Sequence, residues 1–438
     1  MGKYFGTDGI RGTVNVELNS EIAYKIGRFI GYYFSKEATG KILLGRDTRK
    51  SGIMLESALI AGITSQGANA YTMGVTTTPS LAYITSKECF DAAIMISASH
   101  NKYTDNGIKI LNKSGAKLED EICDLAEKFI DGKIQIPFEK DKVGTAFNYD
   151  SAREKYKSYL VSLGSDLSGY KIGIDSANGS GHTLARDVFC TLGASVYMIG
   201  DEPNGENINE DCGSTHIEAL SEHVVKNGLD FGFALDGDGD RCIAVCKGGS
   251  VIDGDAILYI LARSQGLSAL VCTVMSNSGL IASLNEQGIR AEISAVGDKN
   301  VYDKMCQESI FLGGEQSGHI ILNNYLCTGD GILSAIMLSN EIARTQKSLC
   351  ELCTGLTLYP QKIKSVRVKN KEKVLKNRHL LALNDKICAK IGNFGRVLLR
   401  ASGTENVIRV MVECPDESLC QEYLNLLCEA VQNAENEN

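Results

Sequence analysis

Short, uninterrupted apolar runs alternate with amphipathic stretches along most of this chain. Residues 41–47 (KILLGRD) read as a buried strand, 51–67 as an amphipathic helix and 68–74 as a second strand. A helix follows Thr78-Pro79, and 91–99 (DAAIMISAS) returns to strand. Apolar strands separated by helices imply a parallel sheet covered on both faces. The cycle restarts at 170–179 (YKIGIDSANG), with a helix from about Thr183 and a strand at 194–200. It restarts again at 268–279, followed by the helical stretch 280–288. Three α/β units in series are expected, of similar topology. The final stretch differs: 363–370, 396–403 and 407–414 are β-like, with helical patterns between and after them. That pattern predicts a smaller C-terminal α+β unit.

A polar stretch near 140–150, the Gly248-Gly249 turn and Tyr359-Pro360 are the candidate boundaries. They divide the chain into expected domains at 1–148, 149–248, 249–360 and 361–438. At 438 residues the chain is long enough for each to bury its own core. The formal charge of −9 argues against a nucleic-acid partner, which would favour a basic face. No apolar segment suits a signal peptide or a membrane span, and Gly6 stands where a myristoylation motif wants Ser or Thr. A cytoplasmic protein without membrane attachment is expected.

Fifteen cysteines cannot all pair internally. Cys190, Cys242, Cys272 and Cys388 lie in apolar runs, where a reduced thiol behaves as a small hydrophobe. Cys350-x-x-Cys353 lacks the second ligand pair of a structural zinc site and falls in a helical pattern, so core packing is its expected role.

The most informative segment is FALDGDGDRC (233–242), where an apolar strand runs into Asp236, Asp238 and Asp240. Three carboxylates this close repel one another and are costly to desolvate without a cation. Gly237 and Gly239 leave the backbone free to turn all three inward. A calcium EF-hand would need Gly at its sixth and Glu at its twelfth position; here these are Arg241 and Lys247. An aspartyl-phosphate phosphatase would use the first Asp of a D-x-D, but a third carboxylate followed by Arg fits a metal cage better. Hard oxygen ligands of this kind suit Mg²⁺.

A second segment, IMISASHNKYTDNGIKI (94–110), places Ser99 at the carboxyl end of a buried strand, where α/β ligand sites form. The G-x-S-x-G elbow of a Ser-His-Asp hydrolase is absent around Ser99, and His100, adjacent in sequence, is poorly placed to serve it as base. Lys109 could act as a base if burial makes its proton easy to lose. Two further loops suit phosphosugars. RASGTEN (400–406) offers Arg400, Ser402, Gly403 and Thr404, with Arg409 nearby, as a phosphate needs. GGEQSGH (313–319) carries Glu315, Ser317 and His319, suited to sugar hydroxyls. No Walker A loop occurs, and ANGSGHT (177–183) reads as a strand–helix connection.

Taken together and in order, FGTDGIRG, GRDTR, SASHN, DNGIK, DGDGDR, GEQSGH and RASGTEN resemble the α-D-phosphohexomutase superfamily from Phe5 to Arg409. The resemblance implies four domains around a central cleft. Within the superfamily, GEQSGH, VGDKN (296–300) and NINEDCGSTH (207–216) are most similar to the bacterial phosphoglucosamine mutase subfamily. That implies interconversion of glucosamine 6-phosphate and glucosamine 1-phosphate on the route to UDP-N-acetylglucosamine. Phosphomannomutase/phosphoglucomutase is the alternative within the class, and a non-catalytic phosphosugar-binding sensor the alternative outside it.

Residue by residue, the resemblance implies that Ser99 is a phosphoserine, with its phosphate oxygen joining Asp236, Asp238 and Asp240 on one Mg²⁺ per subunit. Glu315 and Ser317 would contact sugar; Arg400, Ser402, Gly403, Thr404 and Arg409 would hold phosphate. Lys109, Arg11 and His319 match positions with acid/base or phosphate-transfer roles. A glucosamine 1,6-bisphosphate would serve as intermediate and primer, in a monomer or homodimer. Lys102, Ala401 and Asn406 stand where the family often has proline, and Lys299 where it has arginine. The proline losses loosen loops without deleting a ligand; the arginine loss exchanges a planar fork for a point charge.

Overall fold

The computed structural model describes residues 2–6, 8–36, 38–402 and 406–436. It divides into two compact units, one of Met1–Met275 with Glu292–Thr354 and one of Ser276–Ala291 with Gly355–Asn438.

In the first unit, the apolar runs form strands Lys41–Arg46, Asn69–Val75 and Ala92–Ile96, parallel neighbours in a seven-stranded sheet. Both faces are covered, which explains apolar runs without alternation. Ile42, Leu44 and Ile94 pack with Ile26, Ile30, Leu55 and Leu59 of helices Ser20–Phe34 and Gly52–Thr64. Leu43, Ala93 and Met95 point the other way, onto Leu81 and Ile84 of helix Thr78–Lys87. Thr77 caps that helix through the Ser80 amide, with Pro79 in its first turn.

The sheet is not wholly parallel. Ala92–Ile96 is followed by Asp105–Asn112, which returns antiparallel beside it, Ile96 opposite Ile108. The same reversal occurs in the five-stranded sheet. Lys171–Asp175, Ser195–Ile199 and Phe231–Leu235 run parallel, and Cys242–Cys246 returns beside the last, Leu235 opposite Cys242. It occurs a third time where Leu312–Gly314, parallel to Ala269–Thr273, turns into Ile320–Leu322. Each reversal loop leaves the carboxyl end of a strand belonging to the parallel part of its sheet. Buried apolar runs do not reveal strand direction, so this feature was illegible as periodicity.

The Gly248-Gly249 turn is itself a hairpin within the second sheet. Val251–Ile252 pairs back onto Cys242–Cys246, so that sheet continues to Ile252. The cysteine reading is also revised. Cys246 and Cys350 form a disulfide, with Cα atoms 6.1 Å apart, whereas Cys350 was expected to pack as a thiol. Cys242 and Cys272 are buried as expected, Cys388 is half-buried, and Cys190 is exposed.

The second unit holds a three-stranded antiparallel sheet in which Val407–Glu413 lies between Gln361–Arg367 and Arg396–Ala401. Helices Arg378–Ile391 and Glu417–Asn436 pack on it through Leu380, Ile387, Leu424, Leu427 and Val431. Helix Ser278–Glu286 falls within this unit, although it connects Ala269–Thr273 to Arg290–Ser294, neighbouring strands of the third α/β sheet. The Ser278 amide donates to the buried Glu413 carboxylate at 2.8 Å, and Asn277 Nδ2 donates to Tyr359 O at 2.9 Å.

Candidate active site

The three reversal loops of the first unit meet. Ser99 Oγ donates to Asp236 Oδ2 at 2.6 Å, joining the first loop to the second. Lys109, on the returning strand, donates to Asp238 Oδ2 at 2.7 Å and lies 3.3 Å from Asp240 Oδ2. His319, at the end of the third loop, places Nδ1 3.6 Å from Asp240 Oδ2. The expected Ser99, Lys109, Asp236, Asp238, Asp240 and His319 are thus one buried cluster.

The backbone enforces this. Ser99 has φ 52°, a left-handed conformation unfavourable for a side chain other than Gly or Asn, and it is held from several directions. Its amide donates to Ser97 Oγ, which in turn donates to Asp47. Its carbonyl accepts from Arg49 Nη2 at 2.8 Å and Asn209 Nδ2 at 2.9 Å. Arg49, wholly buried and paired with Asp47, also donates to the carbonyls of Asn101 and Lys102. In the second loop Gly239 has φ 72°, and a Cβ at Gly237 would come within 2.6 Å of Ser99 O. Both glycines are needed, one for conformation and one for close approach.

Three carboxylates offer ligand oxygens within 4.8 Å of one another. Oδ1 of Asp238 and of Asp240 is buried without a hydrogen-bond partner. Orphaned acceptors in an all-oxygen donor set fit a hard divalent cation. Protein groups neutralise the cage only in part. Burial, and then Asp240 and Asp238, push Asp236 well above the ordinary carboxylate range. Asp240 is held well below it: burial opposes its charge, but Lys109 and His319 outweigh that.

The same carboxylates change the reading of Lys109. Burial alone would favour loss of its proton, but Asp238, Asp8 and Asp240 outweigh burial and raise its pKa well above normal. Lys109 is an ammonium here, not a ready base. His100 also differs from expectation. The left-handed turn at Ser99 brings His100 Nδ1 to 3.3 Å from the hydroxyl. Burial, with Arg241 and Arg11 nearby, lowers its pKa to about 4, so the ring is neutral near pH 7. For His319, burial opposes charge, but Asp240, Asp298 and Glu315 raise its pKa to about 9. The Gly329 amide, aimed at Nε2 from 3.1 Å, opposes a second ring proton. A cation shared by Asp240 would cancel much of the upward push.

A cavity of about 420 Å³ opens beside this cluster, lined by Arg11, Arg241, Asp298, Glu315 and His319 among others. Glu315 accepts the Gly297 amide at 2.9 Å and Ser317 Oγ at 3.3 Å, which fixes its carboxylate at the cavity wall. Arg11 pairs with Asp8. In the second unit, Arg400 and Arg409 stand directly opposite each other on adjacent strands, both exposed, and Ser402 is buried. Like charges in cross-strand register are unfavourable unless an anion joins them. Gly403 and Thr404 lie outside the described residues.

The four domain patterns of "Phosphoglucomutase/phosphomannomutase" match this chain in order: alpha/beta/alpha domain I at residues 2–135, domain II at 154–249, domain III at 253–359 and the C-terminal domain at 364–430. The chain belongs to the phosphoglucomutase/phosphomannomutase family. Like others of this family, it is a phosphohexomutase with three α/β domains and a smaller C-terminal one, and its three loop aspartates form a group suited to a divalent metal ion. It is 46% identical to a phosphoglucosamine mutase of Lachnoclostridium phytofermentans over 97% of this chain and 96% of that protein. It is 45% identical to one from Streptococcus pneumoniae, over 99% of both. Its fold is similar to a phosphoglucomutase/phosphomannomutase family protein of Burkholderia thailandensis (TM-score 0.80, 23% identity, 99% and 98% of the chains). It is also similar to Aspergillus fumigatus N-acetylphosphoglucosamine mutase (TM-score 0.70, 17% identity, 99% and 96%).

Residues that motif reading left without a role are Arg49, Asn209, Asp8, Arg241 and Asp298. Each lies inside a quoted motif, but its proximity to other site residues is visible only in the structure. Among the described residues, no helix is long and apolar enough to cross a membrane.

Proposed function

We propose that this phosphohexomutase is a phosphoglucosamine mutase that interconverts glucosamine 6-phosphate and glucosamine 1-phosphate in the cytoplasm, through a phosphoryl group carried on Ser99 and a 1,6-bisphosphate intermediate. The observation that carries the residue assignment is the Ser99 hydroxyl 2.6 Å from the first aspartate of a three-carboxylate cage. The substrate assignment rests on full-length relatives about 45% identical that bear this name.

A Mg²⁺ held by Asp236, Asp238 and Asp240 would supply the charge neutralisation that a phosphoserine dianion beside three carboxylates requires. Phosphoryl transfer is mostly positioning and charge stabilisation. Arg49 and Asn209 hold Ser99 against the aspartate cage by fixing its carbonyl. The Lys109 ammonium, held by Asp238 and Asp240, would offset the negative charge of the cage as the phosphoryl group leaves the serine oxygen. His319, its pKa raised to about 9 beside Asp240, is suited to hold the proton that the sugar oxygen regains when a phosphoryl group returns to Ser99. Glu315 and Ser317 present acceptor and hydroxyl to the ring hydroxyls. Arg400, Ser402, Gly403, Thr404 and Arg409 are assigned to hold the phosphate that is not being transferred. The two exchanges need the sugar in opposite orientations, so the same fixed groups must accept either end of the bisphosphate.

The test compares kcat/KM on glucosamine 1-phosphate, glucose 1-phosphate and mannose 1-phosphate, with Mg²⁺ and a priming bisphosphate present. A clear preference for glucosamine 1-phosphate is expected. Faster turnover of either of the others would overturn the substrate assignment while leaving the mechanism.

A further inference from the structure

We infer that Lys117 is a positioning residue for catalysis: it bridges Asp8 and Asp298 and thereby sets the relative placement of Lys109 and His319. The inference deepens the mutase reading and rests on it.

Lys117 Nζ lies 2.8 Å from Asp8 Oδ1 and 2.5 Å from Asp298 Oδ1. These carboxylates come from segments far apart in sequence, the N-terminal loop and the start of helix Asp298–Glu308. Each has its other oxygen turned towards another site residue. Asp8 Oδ2 is 3.2 Å from Lys109 Nζ and also pairs with Arg11. Asp298 Oδ2 is 4.0 Å from His319 Nε2. The chain Lys109–Asp8–Lys117–Asp298–His319 therefore closes a ring whose other side is Asp240, in contact with both Lys109 and His319.

Lys117 shares one cavity wall with Lys109, Asp240 and His319 but is held there by the two carboxylates. It lines two cavities of about 290 and 550 Å³, whereas the 420 Å³ cavity that holds Arg11, Glu315 and His319 is bounded by Asp8 and Asp298 but not by Lys117. The carboxylates that Lys117 holds are the ones whose other oxygens face Lys109 and His319, and this is the route by which it positions them. The pairing is strong because both ends are largely shielded from water: the Lys117 side chain is 20% exposed, Asp298 17% and Asp8 22%. Without the ammonium, two carboxylates would face each other across the seam and move apart. A second pair crosses the same seam, Lys299 to Asp120 at 2.5 Å, but Asp120 is 83% exposed and that bridge is correspondingly weak.

The experiment measures steady-state kinetics of Lys117→Met, Lys117→Arg and Asp298→Asn with whichever hexose phosphate the wild-type enzyme turns over best, so that failure of the glucosamine assignment does not enter. Displacing reacting groups by about 1 Å lowers rates on the order of 100-fold. Lys117→Met is expected to lower kcat by about 10- to 100-fold while KM changes less than about threefold. Lys117→Arg should recover most of the loss. Asp298→Asn, which keeps the shape, tests the bridge from the other end if Lys117→Met fails to fold. Its kcat should fall without a matching rise in KM. A rise in KM at constant kcat would make Lys117 a substrate contact and overturn the inference. So would full activity of Lys117→Met, or a Lys117→Arg variant no better than Lys117→Met.

Discussion

Ser99 Oγ donates to Asp236 Oδ2 at 2.6 Å, although 137 residues separate the two and they leave different sheets. The hydroxyl is therefore directed at the cage before any phosphate is attached. Ser99→Ala should keep the fold and lose turnover by at least about three orders of magnitude. Intact-mass analysis should show no phosphate on it after incubation with glucose 1,6-bisphosphate, while the wild-type chain gains one. Measurable phosphorylation of the variant would place the covalent site elsewhere.

The cage makes a prediction that does not depend on activity. Asp236 is already pushed towards its neutral form by burial and its two neighbours, so Asp236→Asn should melt within a few degrees of wild type in chelator. Added Mg²⁺ should raise the wild-type Tm, since at 100 times Kd binding contributes about 2.7 kcal/mol, and should leave the variant unchanged. Equal metal-induced shifts in both would exclude Asp236 as a ligand.

Arg49 donates to three carbonyls of the serine loop, which a lysine's point charge cannot reproduce. Arg49→Lys keeps a cation beside Asp47 but frees part of the loop. A fall in kcat of about 10- to 100-fold is expected, with little change in Mg²⁺ affinity measured by thermal shift. Wild-type kcat would show that Asn209 and Ser97 suffice to hold Ser99.

Arg400 and Arg409 form a like-charge cross-strand pair. Arg409→Gln should raise KM for phosphosugar by about tenfold or more, as expected for loss of a charge-assisted contact. It should also stabilise the ligand-free protein by about 0.2–1 kcal/mol, by relieving the repulsion. Chemical denaturation and kinetics on one preparation would read both effects. Loss of stability together with unchanged KM would mark Arg409 as structural.

Asp175, at the end of strand Lys171–Asp175, is buried, and its pKa is pushed up to about 6 despite accepting the Gly213 and Ala177 amides. An unfolded Asp titrates near 3.9. Between these values the folded state binds more protons than the unfolded one, so this group's contribution to stability falls as pH rises from about 4 to about 6. Asp175→Asn carries no such ionisation. Its stability relative to wild type, measured by urea titration, should improve over that interval and level off above it. A difference that stays flat from pH 4 to 7 would show that Asp175 keeps an ordinary pKa.

The sequence by itself determined a good deal. Apolar runs located Lys41–Arg46, Ala92–Ile96, Phe231–Leu235 and Ala269–Thr273, because strands buried on both faces must be continuously hydrophobic. The aspartates at 236, 238 and 240 announced a cation, because such a cluster is too repulsive to bury alone. What only the tertiary structure decided depends on distance through space. Strand direction is absent from a one-dimensional hydrophobic pattern, so the reversals that carry all three site loops emerged only with pairing. The charge state of Lys109 depends on Asp8, Asp238 and Asp240 arriving around it, and burial read from local sequence gave the opposite sign. The proximity of His100 to Ser99 depends on one left-handed backbone turn. Arg49, Asn209 and Lys117 act by holding other residues, and such a role becomes visible only when the residues they hold are in place.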